Sequence, residues 1–576
     1  MSRGRRLGRA LGGLLFLTAG ACQPGTPAGR APSDQPKPER SVSSPLEASV
    51  NGASATITSE FLRNQVSRIS ADELEGRGPG TRGDLQARAY LSQQLATLGV
   101  APGNGAQGWE QPLELVGLKA QLPSVWRFEH GARSVSLAWW DQYIAGSGVQ
   151  SSSGAIDQAE LVFVGYGIEA PEYAWDDFKG QSVKGKVLLF LNNDPDWDPA
   201  IFAGKTRLYY GRWTYKYENA ARHGAVGAII VHTTPSAGYP YQVVQSSWGG
   251  EQFALPSNGP TSLQVKAWVT EEAARSLVAL SGHSLERLQM LARSRAFAPV
   301  TLGIKTSLHF ENLVQRVQTA NVIGKLGGSD PRLSDEYVVL TAHHDHLGIG
   351  KPDATGDAIY NGALDNGAGV AQVLGIVQAL RSLPARPRRS ILVLFPAAEE
   401  AGLLGSQYFT EHLPLPAGKI AANLNYDGGN IWGRSRDITQ VGKGKSSLDA
   451  VVARVAGQLV RTVQVDQFPD RGTFYRSDQF NFAKIGVPAL YLKTGTDFID
   501  RPSDWGKQQI LAFESKRYHQ PSDQLGSDWN FEGMVDDARF GFLATLEIAN
   551  ADRAPSWTPG DEFEAARRAA LAAIAH

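Results

Sequence analysis

Cysteine is almost absent: Cys22 is the only one in 576 residues. No intramolecular disulfide can form, and the Cys-rich ligand sets usual in structural zinc sites are excluded. An excess of charge of either sign is missing as well. Lys and Arg number 56 and Asp and Glu 57, for a formal net charge of -1. The net charge therefore gives no global argument for nucleic acid or an anionic membrane surface as a partner. No Lys/Arg-rich run occurs beyond the N-terminus, and no short repeat recurs. The apolar stretch "LGGLLFLTAGA" is too short to span a bilayer. What is present is 42% hydrophobic and 20% charged residues, enough apolar side chain for sizeable cores. A chain of 576 residues is expected to form two or more domains.

The N-terminus has the pattern of an export signal. Arg3, Arg5, Arg6 and Arg9 precede the apolar stretch, and Cys22 follows it. "LTAGAC" resembles a bacterial lipobox, with Ala19 where Leu is usual. This implies that Cys22 becomes the lipidated first residue of an exported protein. Gln23 in the next position resembles outer-membrane sorting in Gram-negative lipoproteins; plain secretion is the alternative. Residues 23–54 are rich in Pro, Ser, Gly and Ala and are expected to form a flexible tether.

Residues 55–118 begin the folded protein. "TITSEFLRNQVSRIS" and "LQARAYLSQQLATLGV" have helical apolar spacing, and the Gly-rich "ELEGRGPGTRGD" lies between them. Residues 119–305 are expected to form an inserted β-rich domain, with short strands such as "AELVFVGYGI" and "GKVLLFLNN". From 306 to 555 strands and helices alternate. "EYVVLTA", "RSILVLFPA", "IAANLNYD" and "VPALYLKTG" are buried strands, and "GVAQVLGIVQALRSL" and "SSLDAVVARVAGQLV" are helices. This alternation predicts an α/β domain with a largely parallel sheet flanked by helices. Residues 556–576 end in a tail helix.

Ligands of open α/β sheets sit beyond the carboxyl ends of the strands. At those ends stand His343, His344, Asp345 and His346, then Asp365 before a helix, Glu399 with Glu400, Asp427, and His519. Taken singly, each has an ordinary use as a turn, a cap or a solvated helix start. Gathered at one sheet edge, the carboxylates would repel one another without a cation. Mixed His and carboxylate donors suit Zn²⁺.

"HHDHLG", "NGALDNGAG", "EEAGLLGS", "NYDG" and "RYHQPSD" follow one another in the chain. In this order they resemble the motif series of the M28 zinc peptidases, the co-catalytic two-zinc aminopeptidase family. "AARHGAVGAIIV" resembles part of a protease-associated (PA) domain. The resemblance implies a zinc-exopeptidase fold with an inserted β-rich PA domain. It implies two zinc ions bridged by Asp365, one completed by His343 and Asp427, the other by Glu400 and His519. Glu399 is then the general base, and Tyr518 steadies the oxyanion. Asp345 would orient His343, and Asp478 and Asp523 take supporting roles. His344, Leu364, Gly367, Ala368 and Gln479 depart from the usual family residues, but none of them is an implied ligand. Neither His344 nor His346 is assigned to metal.

The chemistry is consistent with those assignments. Two zinc ions sharing a carboxylate lower the pKa of a water, and a neighbouring carboxylate can move its proton to a leaving amine. The expected activity is removal of N-terminal residues from peptides. Other readings are a carboxypeptidase, for which Arg471, Arg476 or Arg501 could hold a terminal carboxylate, a one-zinc glutaminyl cyclase, or a binding protein on this scaffold. Residues 496–517, with Trp505 and Phe513, are expected to border the pocket.

Overall fold

The computed structural model describes residues 45–257, 259 and 261–574. Cys22, the lipobox and residues 23–44 lie outside them. Among the described residues no helix is long and apolar enough to cross a membrane.

The four strands Ser390–Phe395, Tyr337–Thr341, Ile420–Asn425 and Ala489–Thr494 lie side by side and parallel. Their sequences are near-continuous apolar runs because helices cover both faces. Val338, Val339 and Leu340 are fully buried, as are Ile391, Val393 and Leu394. Asp437–Val441 extends the sheet antiparallel to Ala489–Thr494, and Thr462–Val465 runs parallel beside it. On the other side, Val300–Leu326 pairs antiparallel with Ser390–Phe395. The result is a mixed, largely parallel sheet flanked by helices.

On one face Ala368–Ser382 packs with Ser59–Ile69 and Glu532–Asn550. The first of these helices is buried almost throughout, including Val370, Val373, Leu374 and Val377. Thr58 caps Ser59–Ile69 by accepting from the Phe61 N–H, and Thr81 caps Arg82–Thr97 by accepting from the Asp84 N–H. The other face packs Phe409 and Phe482 against Val339, Leu392 and Leu394.

The strands of segment 119–305 include the parallel set Ser153–Phe163, Val187–Leu191, Gly227–His232 and Val265–Thr270. Helices lie among them, at Trp213–Arg222, Tyr241–Trp248, Glu271–Leu280 and Leu285–Ala292. The segment is thus less exclusively β than its sequence suggests.

Two findings differ from the sequence reading. The tether was expected to run to residue 54, yet Pro45–Ala55 is a helix. Ala53 is only 2% exposed and joins the main core, with Val50 packed against it. Buried apolar surface thus extends into a segment whose composition resembles that of a linker. The expected boundaries at 118/119 and 305/306 both fall inside strands. Glu110–Gln121 and Val300–Leu326 form one antiparallel ribbon, in register from Glu110↔Val322 to Gln121↔Glu311.

Candidate metal centre

The parallel strands end at one edge, and the edge carries the chemistry. His343 follows the central strand Tyr337–Thr341. Glu399 and Glu400 follow the neighbour on one side, and Asp427 follows the neighbour on the other. Asp365 lies in the tight turn Ala363–Gly367 that leads into helix Ala368–Ser382. His519 comes just after helix Trp505–Lys516, with φ at 56°. That is a left-handed conformation uncommon for a residue other than glycine.

Asp365 sits between the two imidazoles. Its Oδ1 is 3.3 Å from His343 Nε2, and its Oδ2 is 3.2 Å from His519 Nε2. Asp427 Oδ1 is 3.8 Å from His343 Nε2, and Glu400 Oε2 is 3.0 Å from His519 Nε2. Glu399 Oε2 lies 4.0 Å from His343 Nε2. The residues implied as ligands therefore converge as two halves around one carboxylate.

Both Nε2 atoms are buried, and among the described residues neither they nor His346 Nε2 makes a well-directed hydrogen bond, although carboxylate oxygens lie close to the first two. A buried imidazole nitrogen without a partner costs free energy unless another group meets it. Carboxylates outnumber imidazoles here, and a divalent cation balances such a set. The sets His343–Asp365–Asp427, His343–Glu399–Glu400 and His346–Asp365–Glu400 each bring their donor atoms within 4.8 Å of one another. The residues fit zinc in donor type and placement.

The electrostatics separate the two adjacent glutamates. Burial, then Glu400, Asp427 and Asp478, push Glu399 well above the ordinary carboxylate range, against the pull of His343. Burial also opposes the charge on Glu400, but His519 and His346 outweigh it and bring Glu400 down to about 2. Neighbouring carboxyls driven apart in this way take different chemical parts. Burial works against a charge on His519 too, yet Glu400 and Asp365 raise it to about 10. For Asp365 burial is outweighed by His343 and His519, which hold it well below its ordinary value.

The surrounding residues hold this arrangement. Asp523 accepts from the backbone N–H of Leu364 and of Asp365, each at 3.0 Å, fixing the turn that carries Asp365. Burial is the main cause that raises Asp523 to about 6. Asp345 accepts from the N–H of Glu399 and Glu400. Its Oδ1 is 3.7 Å from His343 Nδ1, beyond direct hydrogen bonding, so its main contacts are to the glutamate turn. Asp478 is fully buried beside the site, and burial raises it to about 7. The Tyr518 ring lies against His519 with centroids 3.9 Å apart, and Tyr518 lines the cavity in front of the site.

Arg77, from the Gly-rich segment, is fully buried and donates to four carbonyls. They belong to His344 at 2.7 Å, Ile69 at 2.7 Å, Asn361 at 2.6 Å and Gly362 at 3.0 Å. A Cβ on the preceding Gly76, whose φ is 66°, would meet the Gly348 and Tyr360 carbonyl oxygens at 2.5 Å. Only glycine fits there.

Sequence reasoning missed several contacts. His346 was not assigned to metal, but its Nδ1 is 2.7 Å from Glu400 Oε1 and it belongs to one candidate donor set. His344 turns away from the centre toward Asp84, 3.1 Å distant. Ser247, from the inserted segment, reaches His519 Nδ1 at 2.7 Å. Arg77 drew no notice beyond its motif. The place of His346 beside the other histidines was visible in the sequence, but nothing there gave the direction of its ring.

A cavity of about 320 Å³ opens onto the centre. Arg212, Trp213, Tyr239 and Trp248 of segment 119–305 line it together with Glu399, Asp427 and His519. Residues 496–517 contribute Thr496, Ile510, Phe513 and Glu514, largely from a helix. Trp505 packs on Phe498 and does not line the cavity. Of the arginines named from sequence, Arg471 is ion-paired with Glu514 and Arg501 lies over Trp505. Arg476 lines the cavity beneath Tyr239 and, like Arg212, makes no ion pair among the described residues.

The chain is similar to known peptidases. Residues 321–542 match the family model described as peptidase family M28. A probable leucine aminopeptidase 2 of Aspergillus oryzae is 26% identical over 281 residues, 47% of this chain and 52% of that protein. Carboxypeptidase Q of Xenopus laevis is 23% identical over 317 residues, 54% of this chain and 56% of that one. The chain thus spans about half the length of the curated relatives it matches. The structure of an aminopeptidase from Aneurinibacillus sp. strain AM-1 shares the fold, with a TM-score of 0.51 and 17% identity. The match covers 88% of this chain and 97% of that one.

Proposed function

We propose that this protein is a two-zinc exopeptidase that hydrolyses N-terminal residues from peptides. One observation supports this above the others. Asp365 places one oxygen 3.3 Å from His343 Nε2 and the other 3.2 Å from His519 Nε2, both buried, while Glu399 lies 4.0 Å from His343 Nε2 beside them. His343 and Asp427 would hold one ion and Glu400 and His519 the other, with Asp365 shared. Bound there, zinc supplies Lewis acidity that brings the pKa of a water to near 7.

The chain's own groups do the rest. Glu399 takes a proton from the attacking water at its carboxylate and delivers it to the departing amine. Tyr518, whose ring is fixed against His519, presents its hydroxyl to the developing oxyanion. The inserted segment walls the cavity through Trp213 and Trp248, which excludes bulk water and limits access to short or unfolded peptides.

A second reading has its own support. Arg212 and Arg476 are cavity-lining cations with no ion pair among the described residues, and a substrate ending in a free carboxylate would suit them. Zinc content per chain, measured with turnover of aminoacyl reporters bearing free or blocked termini, decides between the two. Two zinc ions and turnover only with a free amine support the aminopeptidase. Two zinc ions and turnover only with a free carboxylate, lost in Arg476→Ala, support the carboxypeptidase. One zinc ion contradicts both.

Export and lipidation at Cys22 belong to the same proposal. Labelled palmitate should enter the wild-type chain in a Gram-negative host and not Cys22→Ala; labelling of neither removes this part.

A further inference from the structure

Each metal-facing imidazole has a second ring nitrogen, and the two are treated differently. Among the described residues His343 Nδ1 makes no hydrogen bond, with Asp345 Oδ1 3.7 Å away. His519 Nδ1 lies 2.7 Å from the hydroxyl of Ser247, a residue 272 positions earlier, in the inserted segment. With a metal ion held between Nε2 and the Asp365 and Glu400 carboxylates, Nε2 would offer its lone pair, and the ring proton would sit on Nδ1 and donate to Ser247 Oγ. Such a partner fixes the tautomer and rotation of a metal-ligating histidine.

Ser247 is itself well anchored. It lies in helix Tyr241–Trp248, and its carbonyl accepts from Gln252 Nε2 at 3.0 Å. Gln245 Nε2 donates to the Trp140 carbonyl at 2.9 Å. Trp248 packs edge-on against Trp213, with ring centroids 5.0 Å apart. The following strand, Gln252–Ala254, pairs with Glu110–Gln121, which is one half of the ribbon. His519, by contrast, has a left-handed backbone just beyond a helix end, so its ring depends on outside contacts for its aim.

We infer that Ser247 is a positioning residue through which the inserted segment completes one of the two metal positions. The position served by His519 and Glu400 depends on this hydroxyl. The position served by His343 and Asp427 does not. The inference rests on the two-zinc reading above and adds an asymmetry to it: the two ions differ in affinity because a distant part of the chain orients only one ligand set.

The test is zinc titration of the full-length metal-stripped protein against a competing chelator, for wild type, Ser247→Ala and Ser247→Thr. Each variant's thermal transition is recorded in the metal-free state. In Ser247→Ala one site should be unchanged and the other loosened by about 10- to 100-fold. Ser247→Thr keeps the hydroxyl and should recover most of that loss. Equal affinities in wild type and Ser247→Ala would overturn the inference while leaving the two-zinc reading intact. So would equal loosening of both sites, or the same loss in Ser247→Thr. If the wild type binds no zinc, both readings fail together.

Discussion

Asp345 holds Glu399 and Glu400 by their own backbone. Its two carboxylate oxygens accept from the two successive N–H groups, at 3.0 Å and 3.3 Å. The residue two places after His343 thereby sets the turn that presents the proposed base and a proposed metal ligand from the adjacent strand. Asp345→Ala should lower zinc affinity and kcat each by about 10- to 100-fold. Asp345→Asn, which keeps one acceptor, should fall between. Metal titration and steady-state kinetics read this; a variant that titrates and turns over like wild type would contradict it.

Glu399 and Glu400 are neighbours in sequence with opposite electrostatics, so their substitutions should separate. Glu399→Gln should retain zinc and lose about 10²- to 10⁴-fold in kcat. Glu400→Gln should lose zinc from one position. Metal content measured on the same samples used for kinetics distinguishes the two effects.

Arg77 binds the chain together behind the centre. Its four carbonyl partners come from three separate segments, and its guanidinium is buried deeply enough for its pKa to fall to about 10. Arg77→Met leaves those carbonyls without donors and should destabilise the fold by at least about 3 kcal/mol. Arg77→Lys should rescue little, because one ammonium cannot reproduce the planar fork. The midpoint of chemical denaturation measures both.

His232 makes the inserted segment sensitive to acid. It is 4% exposed, and burial lowers its pKa from 6.5 to about 4, with the Tyr239 carbonyl 3.1 Å away opposing weakly. Below pH 6.5 the unfolded chain takes up the proton and the folded chain does not. Stability is therefore whole above pH 6.5 and declines as pH falls toward 4, by about 3 kcal/mol. Amide exchange in strand Gly227–His232, corrected for intrinsic rate, should show this slope in wild type and lose it in His232→Gln. Parallel slopes in the two proteins would rule it out.

The sheet and its carboxyl edge were legible because parallel strands buried on both faces read as unbroken apolar runs, and polar groups such as His343 and Asp427 begin where those runs stop. The supporting contacts were not legible, for identifiable reasons. His346 lies in irregular backbone beyond the strand, where no periodicity gives direction. Helix Trp505–Lys516 buries only Gly506, so it has no apolar stripe to announce it. Ser247 reaches His519 across 272 positions, a distance that no local pattern encodes.

The strand Val300–Leu326 has a consequence for how the molecule is made. Its first half pairs with Ser153–Phe163, its middle with Glu110–Gln121, and its last residues with Ser390–Phe395. During synthesis the inserted segment cannot close its sheet until residues 300–311 have emerged, and the α/β sheet cannot receive this strand's end until 390–395 follow. One strand thus closes both sheets, so the two regions should melt in a single transition and a break in the ribbon should be felt on both sides.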